Sequence, residues 1–537
     1  MKRTARLAAA LAVAAAVAAS FTAPAPAADV VPVADPLPRI AAGPDRALVD
    51  TETGAPFEPR GFNYVRLTAM PSNAANPYHS TFEPGLYDAA RADAMLADVT
   101  MRGYNTVRVF LDPGNGQDNL MGEPHGLGHG DADLSPANAA YLDNVADFVR
   151  RAAGYGVYVL PSMDVFPQNG YYRDIIVNSP QPVNIVGRNR SYMYEGYIRA
   201  KEEYLRVFTT EMTARLGDLM STFLALQLDN EAYLNHTEAP FHQFSGQMTV
   251  AGRTYQMADR MQRQAAADAA FVAYADRGVA AVKAVDPDLM VTMGAFTNLA
   301  VKKTFDGLSG VCDGAPCGDP RYPVRVSTLT RDSDLDFLDI HLYLATGRTL
   351  AASLGSMEWS QVTGPVINGE FGTERRWFGN DIQQAWPALV DHQVGSCTYG
   401  ITGWLYWTWD TNEDATQQKF FTGVEAGGVI AGALSPRQRP DPCSTTQVRV
   451  RHMTVYPLAA AERPLARPQF RGGGPDGTVT LSVNGEEAGR TTSDGRGWQL
   501  RPARDLPLGE PFDAVFRLYR DGRLADLVTI EDVVLGG

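Results

Sequence analysis

Between about Pro38 and Pro440, short runs of β-branched and aromatic residues alternate with longer stretches in which apolar side chains return every three or four positions. The first pattern marks strands and the second marks amphipathic helices. Eight runs predict strands: Phe62–Leu67, Thr106–Leu111, Val157–Met163, Phe223–Glu231, Met290–Ala295, Asp336–Tyr343, Pro365–Gly372 and Gly400–Asp410. Several are almost continuously apolar, as strands buried on both faces are. Tyr141, Val145, Phe148 and Val149 share one helical face, with Ser135-Pro136 as the expected start and Gly154 as the stop. Met257 to Ala284 reads as a long helix halted by Asp286-Pro287. Eight strand–helix repeats predict an α/β fold, a (β/α)8 TIM barrel. No Gly-x-Gly-x-x-Gly follows the first strand, which argues against a doubly wound open sheet.

Long Gly/Pro/Asn-rich insertions follow the second to fifth strands, at Pro113–Leu134, Asp164–Arg199, Ala232–Tyr255 and Thr297–Asp334. In a barrel they gather at the C-terminal mouth and wall a cleft or pocket there. After Ser444 the period changes to two. Thr478-Val-Thr-Leu-Ser-Val483 followed by Asn484-Gly485 predicts a hairpin. Phe512–Tyr519, the turn Asp521-Gly522 and Leu527–Leu535 predict another. The tail therefore reads as a small all-β, sandwich-like domain, with its lone Trp498 in a packing role.

The N-terminus has the form of a secretory leader: basic Lys2, Arg3 and Arg6, an apolar run from Leu7 to Ala19, and small residues at Ala25-Pro26-Ala27. The expected layout is a signal peptide over 1–27, the barrel over 28–440 and the β domain over 445–537. The 537 residues carry a formal net charge of −14, which disfavours nucleic acid and anionic membranes as partners. No later run is apolar enough to span a bilayer. Four cysteines in an exported chain point to disulfides, Cys312 with Cys317 and Cys397 with Cys443. The Cys spacing lacks a zinc pattern, and His125 and His129 with Asp131 and Asp133 read as a solvated loop, so neither metal nor cofactor is expected.

Two carboxylates stand out by position. Glu231 closes the fourth strand in Leu226-Gln-Leu-Asp-Asn-Glu231, and Glu370 closes the seventh in Asn368-Gly-Glu-Phe-Gly372. A charge at the end of an apolar strand points into a polar site, and these two strands face each other across a barrel mouth. Paired carboxylates suit glycoside hydrolysis: one protonates the leaving oxygen, and the other attacks the anomeric carbon or activates water. Arg108 ends the second strand, where it can hold Glu370 ionised. Asn230, His341, Tyr343, Trp404, Trp407 and Asp164 stand at neighbouring strand ends as candidate substrate contacts. These positions imply a carbohydrate partner. The alternative is a non-catalytic carbohydrate-binding or cell-surface barrel.

These residues resemble the clan of (β/α)8 retaining glycosidases that contains the cellulases and β-mannanases of family five. The resemblance lies in Arg60-Gly-Phe-Asn-Tyr64, Arg108, Asn230-Glu231, His341-Leu-Tyr343, Gly369-Glu-Phe-Gly372 and the tryptophans after the eighth strand. It implies that Glu231 is the acid/base and Glu370 the nucleophile of a secreted hydrolase acting on glucan- or mannan-like β-linkages. Two departures mark this chain. Ala232 stands where the family has Pro, so that Asp229-Asn-Glu231 looks more like the β-galactosidase branch, and Ser162-Met-Asp164 stands where it has His-Asn.

Overall fold

The computed structural model describes residues 35–70, 73–111, 127, 134–164, 170–180, 184–243, 245–303, 319–345, 347–411, 419–444, 453–456, 458, 462–495, 497–520 and 522–536. Cys312, Cys317, His125, His129, Asp131, Asp133, the leader and Asp521 lie outside them.

Eight parallel strands close a barrel: β1 (Arg60–Tyr64), β2 (Thr106–Phe110), β3 (Tyr158–Ser162), β4 (Leu226–Gln227), β5 (Val291–Thr292, resumed at Gly294–Phe296), β6 (Leu338–His341), β7 (Val366–Phe371) and β8 (Trp404–Tyr406). The first half of β5 pairs with β4 and its second half with β6, so the interruption at Met293 is the seam that completes the ring. A helix follows each strand: α1 (Ala89–Met101), α2 (Ala139–Gly154), α3 (Glu195–Leu216), α4 (Arg260–Lys283), α5 (Val326–Asp332), α6 (Leu350–Gly355), α7 (Ile382–Cys397) and α8 (Glu425–Ala433). Each predicted strand overlaps one of the eight. The cap of α2 is Asn138 instead of Ser135: its side chain accepts from Ala140 and Tyr141 main-chain N–H, and a helix begun at Pro136 would forgo that bond.

The barrel interior is tiered. At the floor, Tyr158, Leu160, Ala225, Phe337, Ile367 and Leu405 pack with Ile40 and Leu48 of a small N-terminal sheet (Ile40–Ala42, Leu48–Asp50, Pro56–Phe57). Above lies a buried polar tier, Asn63, Arg108, Gln227 and Asp339. Phe110, His341, Glu370 and Trp407 follow at the mouth. The alternation of strand side chains explains the tiers, since Arg108 and Phe110, Asp339 and His341, or Leu405 and Trp407 are two residues apart and share a face. Phe62, Tyr406 and Trp409 point outward and pack edge to face under the helices.

C-terminal to the barrel are a three-stranded sheet (Thr454–Val455, Phe470–Gly473, Trp498–Leu500) and a four-stranded one (Glu486–Ser493, Gly477–Val483, Phe512–Arg520, Arg523–Val533). They share a core around Val479, Leu481, Phe470 and Phe516. Asn484 and Gly485, both at positive φ, form the two-residue turn that their sequence predicts. Trp498 is buried, donates to the Gly473 carbonyl and packs on Phe516. Cys397 at the end of α7 is bonded to Cys443. Among the described residues no helix is long and apolar enough to cross a membrane.

Candidate active site

β4 ends at Gln227, and the next four residues carry the chain to Glu231 along the top of β5. Leu228 N–H bonds to the Thr292 carbonyl, Gly294 N–H to Asp229, and Ala232 N–H to Gly294. Gly294 must be glycine, because a Cβ there would stand 1.7 Å from the Asn230 carbonyl oxygen. From α3, the buried ammonium of Lys201 donates to the carbonyls of Leu228 (2.7 Å), Asp164 (3.1 Å) and Met163, tying the ends of β3 and β4 together.

Glu370 is held by three side chains, one on β2 and two at the end of β6. Arg108 Nη1 donates to its Oε1 at 2.7 Å, Tyr343 Oη donates to its Oε2 at 2.7 Å, and His341 Nδ1 lies 3.4 Å from Oε2. Arg108 is fully buried and spends its remaining donors on Asn63 Oδ1, Gln227 Oε1 and Asn230 Oδ1. Gln227 in turn donates to Asp339, whose other oxygen accepts the Gly369 N–H at 2.7 Å. A Cβ on Gly369 would stand about 2 Å from that carboxylate, so glycine is required before Glu370.

Glu231 is partly open to solvent. Its Oε1 is 3.0 Å from His341 Nδ1, and its Oε2 is 3.8 Å from Arg321, which is itself clamped by Asp319 and lies over the Phe296 ring. The ligating atoms of Glu231, His341 and Glu370 all fall within 4.8 Å of one another. Burial, first of all, pushes both glutamate carboxyls above their ordinary range; Arg321 opposes this at Glu231, and Arg108 and the Tyr343 hydrogen bond oppose it at Glu370. Burial also lowers His341, which keeps its imidazole neutral. With Asp339 nearby, three carboxyls share one buried guanidinium, so a proton held among them is favoured over three full charges. Glu370 has the cation and the phenol donor, and is the better anion. Glu231 has the neutral imidazole and the opening to solvent, and is the better acid.

The expected contacts are placed as follows. Arg108, His341 and Tyr343 converge on the two carboxyls, and Asn230 accepts from Arg108. Asp164 stands at the end of β3, with its carboxylate 3.4 Å from the Asn230 N–H and 3.9 Å from Arg188. Trp407 joins Val65, Phe110 and Phe420 in an aromatic patch beside Tyr343. Trp404 corrects the expectation of a substrate contact. It faces outward, is 2% exposed, and donates from Nε1 to Ser396 Oγ on α7 at 2.8 Å. Trp404 and Trp407 are three apart on one strand, so only one can face the interior. Asn63, Gln227, Asp339 and Arg321 belong to the site but were not picked out in sequence. The parity signal was present for Gln227 and Asp339, polar residues alternating with Leu and Ile in buried strands.

The family model for Cellulase (glycosyl hydrolase family 5) matches residues 52–413. No curated protein matches the chain. Among solved structures it resembles an exo-β-1,4-mannosidase from Opitutaceae bacterium strain TAV5 (16% identity, TM-score 0.46), covering 75% of this chain and 63% of that one. It also resembles an endo-β-1,4-mannanase from Thermotoga petrophila (13% identity, TM-score 0.48), covering 90% of this chain and 99% of that one. A β-glucuronidase from Bacteroides uniformis is matched at 14% identity and TM-score 0.42, covering 89% of this chain and 46% of that one. The chain thus spans less than two thirds of the mannosidase and less than half of the glucuronidase. The family match covers most of the barrel together with both glutamates, and on it the chain belongs to the cellulase family, glycosyl hydrolase family 5.

Proposed function

We propose that the protein is a secreted, retaining β-glycosidase acting on glucan- or mannan-like oligo- or polysaccharides, with Glu370 as nucleophile and Glu231 as acid/base. The observation that carries this reading is the approach of the two carboxyls, one oxygen of each lying within 4.8 Å of the other. Retaining enzymes bring them to about 5–5.5 Å, whereas inverting enzymes leave roughly 6.5–9.5 Å for a water.

In the first step the Glu231 proton passes to the glycosidic oxygen as that bond breaks, and a Glu370 oxygen bonds to the anomeric carbon. Glu231, now a carboxylate, takes a proton from water. The water oxygen displaces Glu370, and the sugar leaves with its original configuration. Arg108 and Tyr343 stabilise the Glu370 carboxylate as leaving group of this step. His341, neutral, orients Glu231. Asn230, Asp164 and Trp407 are the substrate contacts in this reading. The Cys397–Cys443 bond supports an oxidising, extracellular setting. The barrel is taken as residues 28–440, with 445–537 as a separate β domain.

The test is hydrolysis of a panel of aryl β-glycosides with the anomeric form of the first product read by NMR. Retention of configuration and an inactive Glu370→Gln variant are expected. Initial inversion, or a fully active Glu370→Gln, refutes the assignment, and a wild type inert on every β-linkage favours a non-catalytic sugar-binding barrel. The spacing of Glu231, His341 and Glu370 also suits a metal ion. Arg108, 2.7 Å from Glu370, disfavours a second cation there, and activity is expected to survive a chelator.

A further inference from the structure

His79 ends the strand Asn73–His79, which pairs with Leu67–Met70 just after β1. The two-carboxylate chemistry makes no use of it. Its imidazole stacks on Phe110, with ring centroids 4.3 Å apart and planes 21° from parallel. Phe110 stands two residues beyond Arg108 on β2, so both face the interior, and the Arg108 guanidinium lies 4.6 Å from the Phe110 ring. Trp407 meets the same ring edge-on at 5.7 Å. Phe110 is therefore the centre of a three-ring wall at the mouth, on the side where Arg108 grips Glu370.

Two polar atoms of this wall are buried without a hydrogen-bond partner among the described residues, Nδ1 of His79 and Nε1 of Trp407. Leaving such an atom unpaired is unfavourable, and native folds rarely do so. Both unpaired atoms belong to rings that touch Phe110, whose ring Arg108, the partner of Glu370, also meets. Among the described residues the charged groups facing His79 are Arg108 and Asp164; burial, helped by Arg108, pushes the imidazole down to about 4, so it is neutral at ordinary pH. A neutral ring nitrogen in an aromatic wall is suited to a sugar hydroxyl, which can donate or accept.

We propose that His79 is a sugar-binding residue, whose Nδ1 pairs with a hydroxyl of the ring seated against Glu370 while Phe110 holds the imidazole in position. The proposal rests on the glycosidase reading and adds to it a specificity-determining contact from the hairpin after β1.

The experiment uses the aryl β-glycoside that the wild type cleaves best, together with its monodeoxy analogues. Each is assayed with wild type and with His79→Phe, which keeps a stacking ring and removes the nitrogens. Thermal melts check that the variant is folded, and His79→Ala replaces it if it is not. The expected result is a fall in kcat/KM of about tenfold or more. At one hydroxyl position the losses from deoxygenation and from the substitution should not add, because both remove the same bond. A merely structural role predicts additive losses at every position. Additive losses throughout, or an unchanged kcat/KM, overturn the proposal and leave the glycosidase reading intact, provided Glu370→Gln is inactive. A wild type that cleaves no β-glycoside removes that reading, and this proposal with it.

Discussion

Nη1 of Arg108 lies 2.7 Å from Oε1 of Glu370, with both side chains inside the barrel. The guanidinium is the only cation within bonding distance of this carboxylate among the described residues, and it also orders Asn63, Gln227 and Asn230. One side chain therefore fixes the charge of one glutamate and the approach of the segment bearing the other.

Replacing Arg108 with Met should lower kcat/KM more than a hundredfold, in the range of losing a preorganised donor, about 10²–10³. Losing the cation raises the carboxyl further, so ionising Glu370 requires a higher pH. The acidic limb of the kcat/KM profile should move toward neutrality. Breaking a buried pair also costs on the order of 3–5 kcal/mol in urea unfolding. An acidic limb that stays in place contradicts the assigned role.

Tyr343→Phe removes one donor from Glu370 and leaves the ring. A hydrogen bond to a charged group contributes about 1.5–3 kcal/mol, so kcat should drop roughly ten- to a hundredfold. Steady-state kinetics on a folded variant decide it, and a rate within twofold of wild type shows the bond to be idle.

The half-buried Glu231 carboxyl sits above its ordinary range in the folded protein, so folding favours its protonated form. The associated destabilisation is present at neutral pH and disappears as pH falls through the raised value toward the unfolded one, about 4.3. Glu231→Gln should therefore melt above wild type at neutral pH, by on the order of a few degrees. The gap should narrow in acid. A constant gap across the titration, or a less stable variant at neutral pH, counts against this sign.

Trp404→Phe deletes the bond to Ser396 and part of the packing on α7. A loss of about 1–3 kcal/mol in stability is expected, with KM within twofold of wild type. A large rise in KM would restore Trp404 to the substrate.

Cys443→Ser opens a bridge spanning 46 residues. Loop-closure entropy for that span corresponds to about 4 kcal/mol. The loss should show in denaturant unfolding while activity at low temperature is kept.

The eight strands were legible because each is a short apolar run between turn residues, and the carboxylates because each closes such a run. The polar tier beneath them was harder to see. Asn63, Gln227 and Asp339 sit inside apolar strands, where one polar residue looks like an edge position until the closure of the barrel is known. Arg321 was hidden because it arrives from a strand, Arg321–Pro323, that pairs with Tyr233–Asn235 outside the barrel sheet. Trp404 and Trp407 crowd the same strand end in sequence, and only the two-residue alternation of the strand separates the outward one from the inward one. The start of α2 is ambiguous in sequence because Ser135 and Asn138 both carry cap chemistry, and the choice between them depends on where the helix packs.

The N-terminal sheet that seals the barrel floor has a kinetic consequence. With Ile40 and Leu48 wedged among Tyr158, Leu160 and Leu405, the stave ends are packed with buried apolar side chains among the described residues, which favours the mouth as the doorway for water as well as for the sugar. In the proposed cycle, hydrolysis of the glycosyl-enzyme then has to wait until the departing fragment vacates that doorway. An acceptor alcohol that lingers there competes directly with water, so added alcohols should divert turnover into transglycosylation.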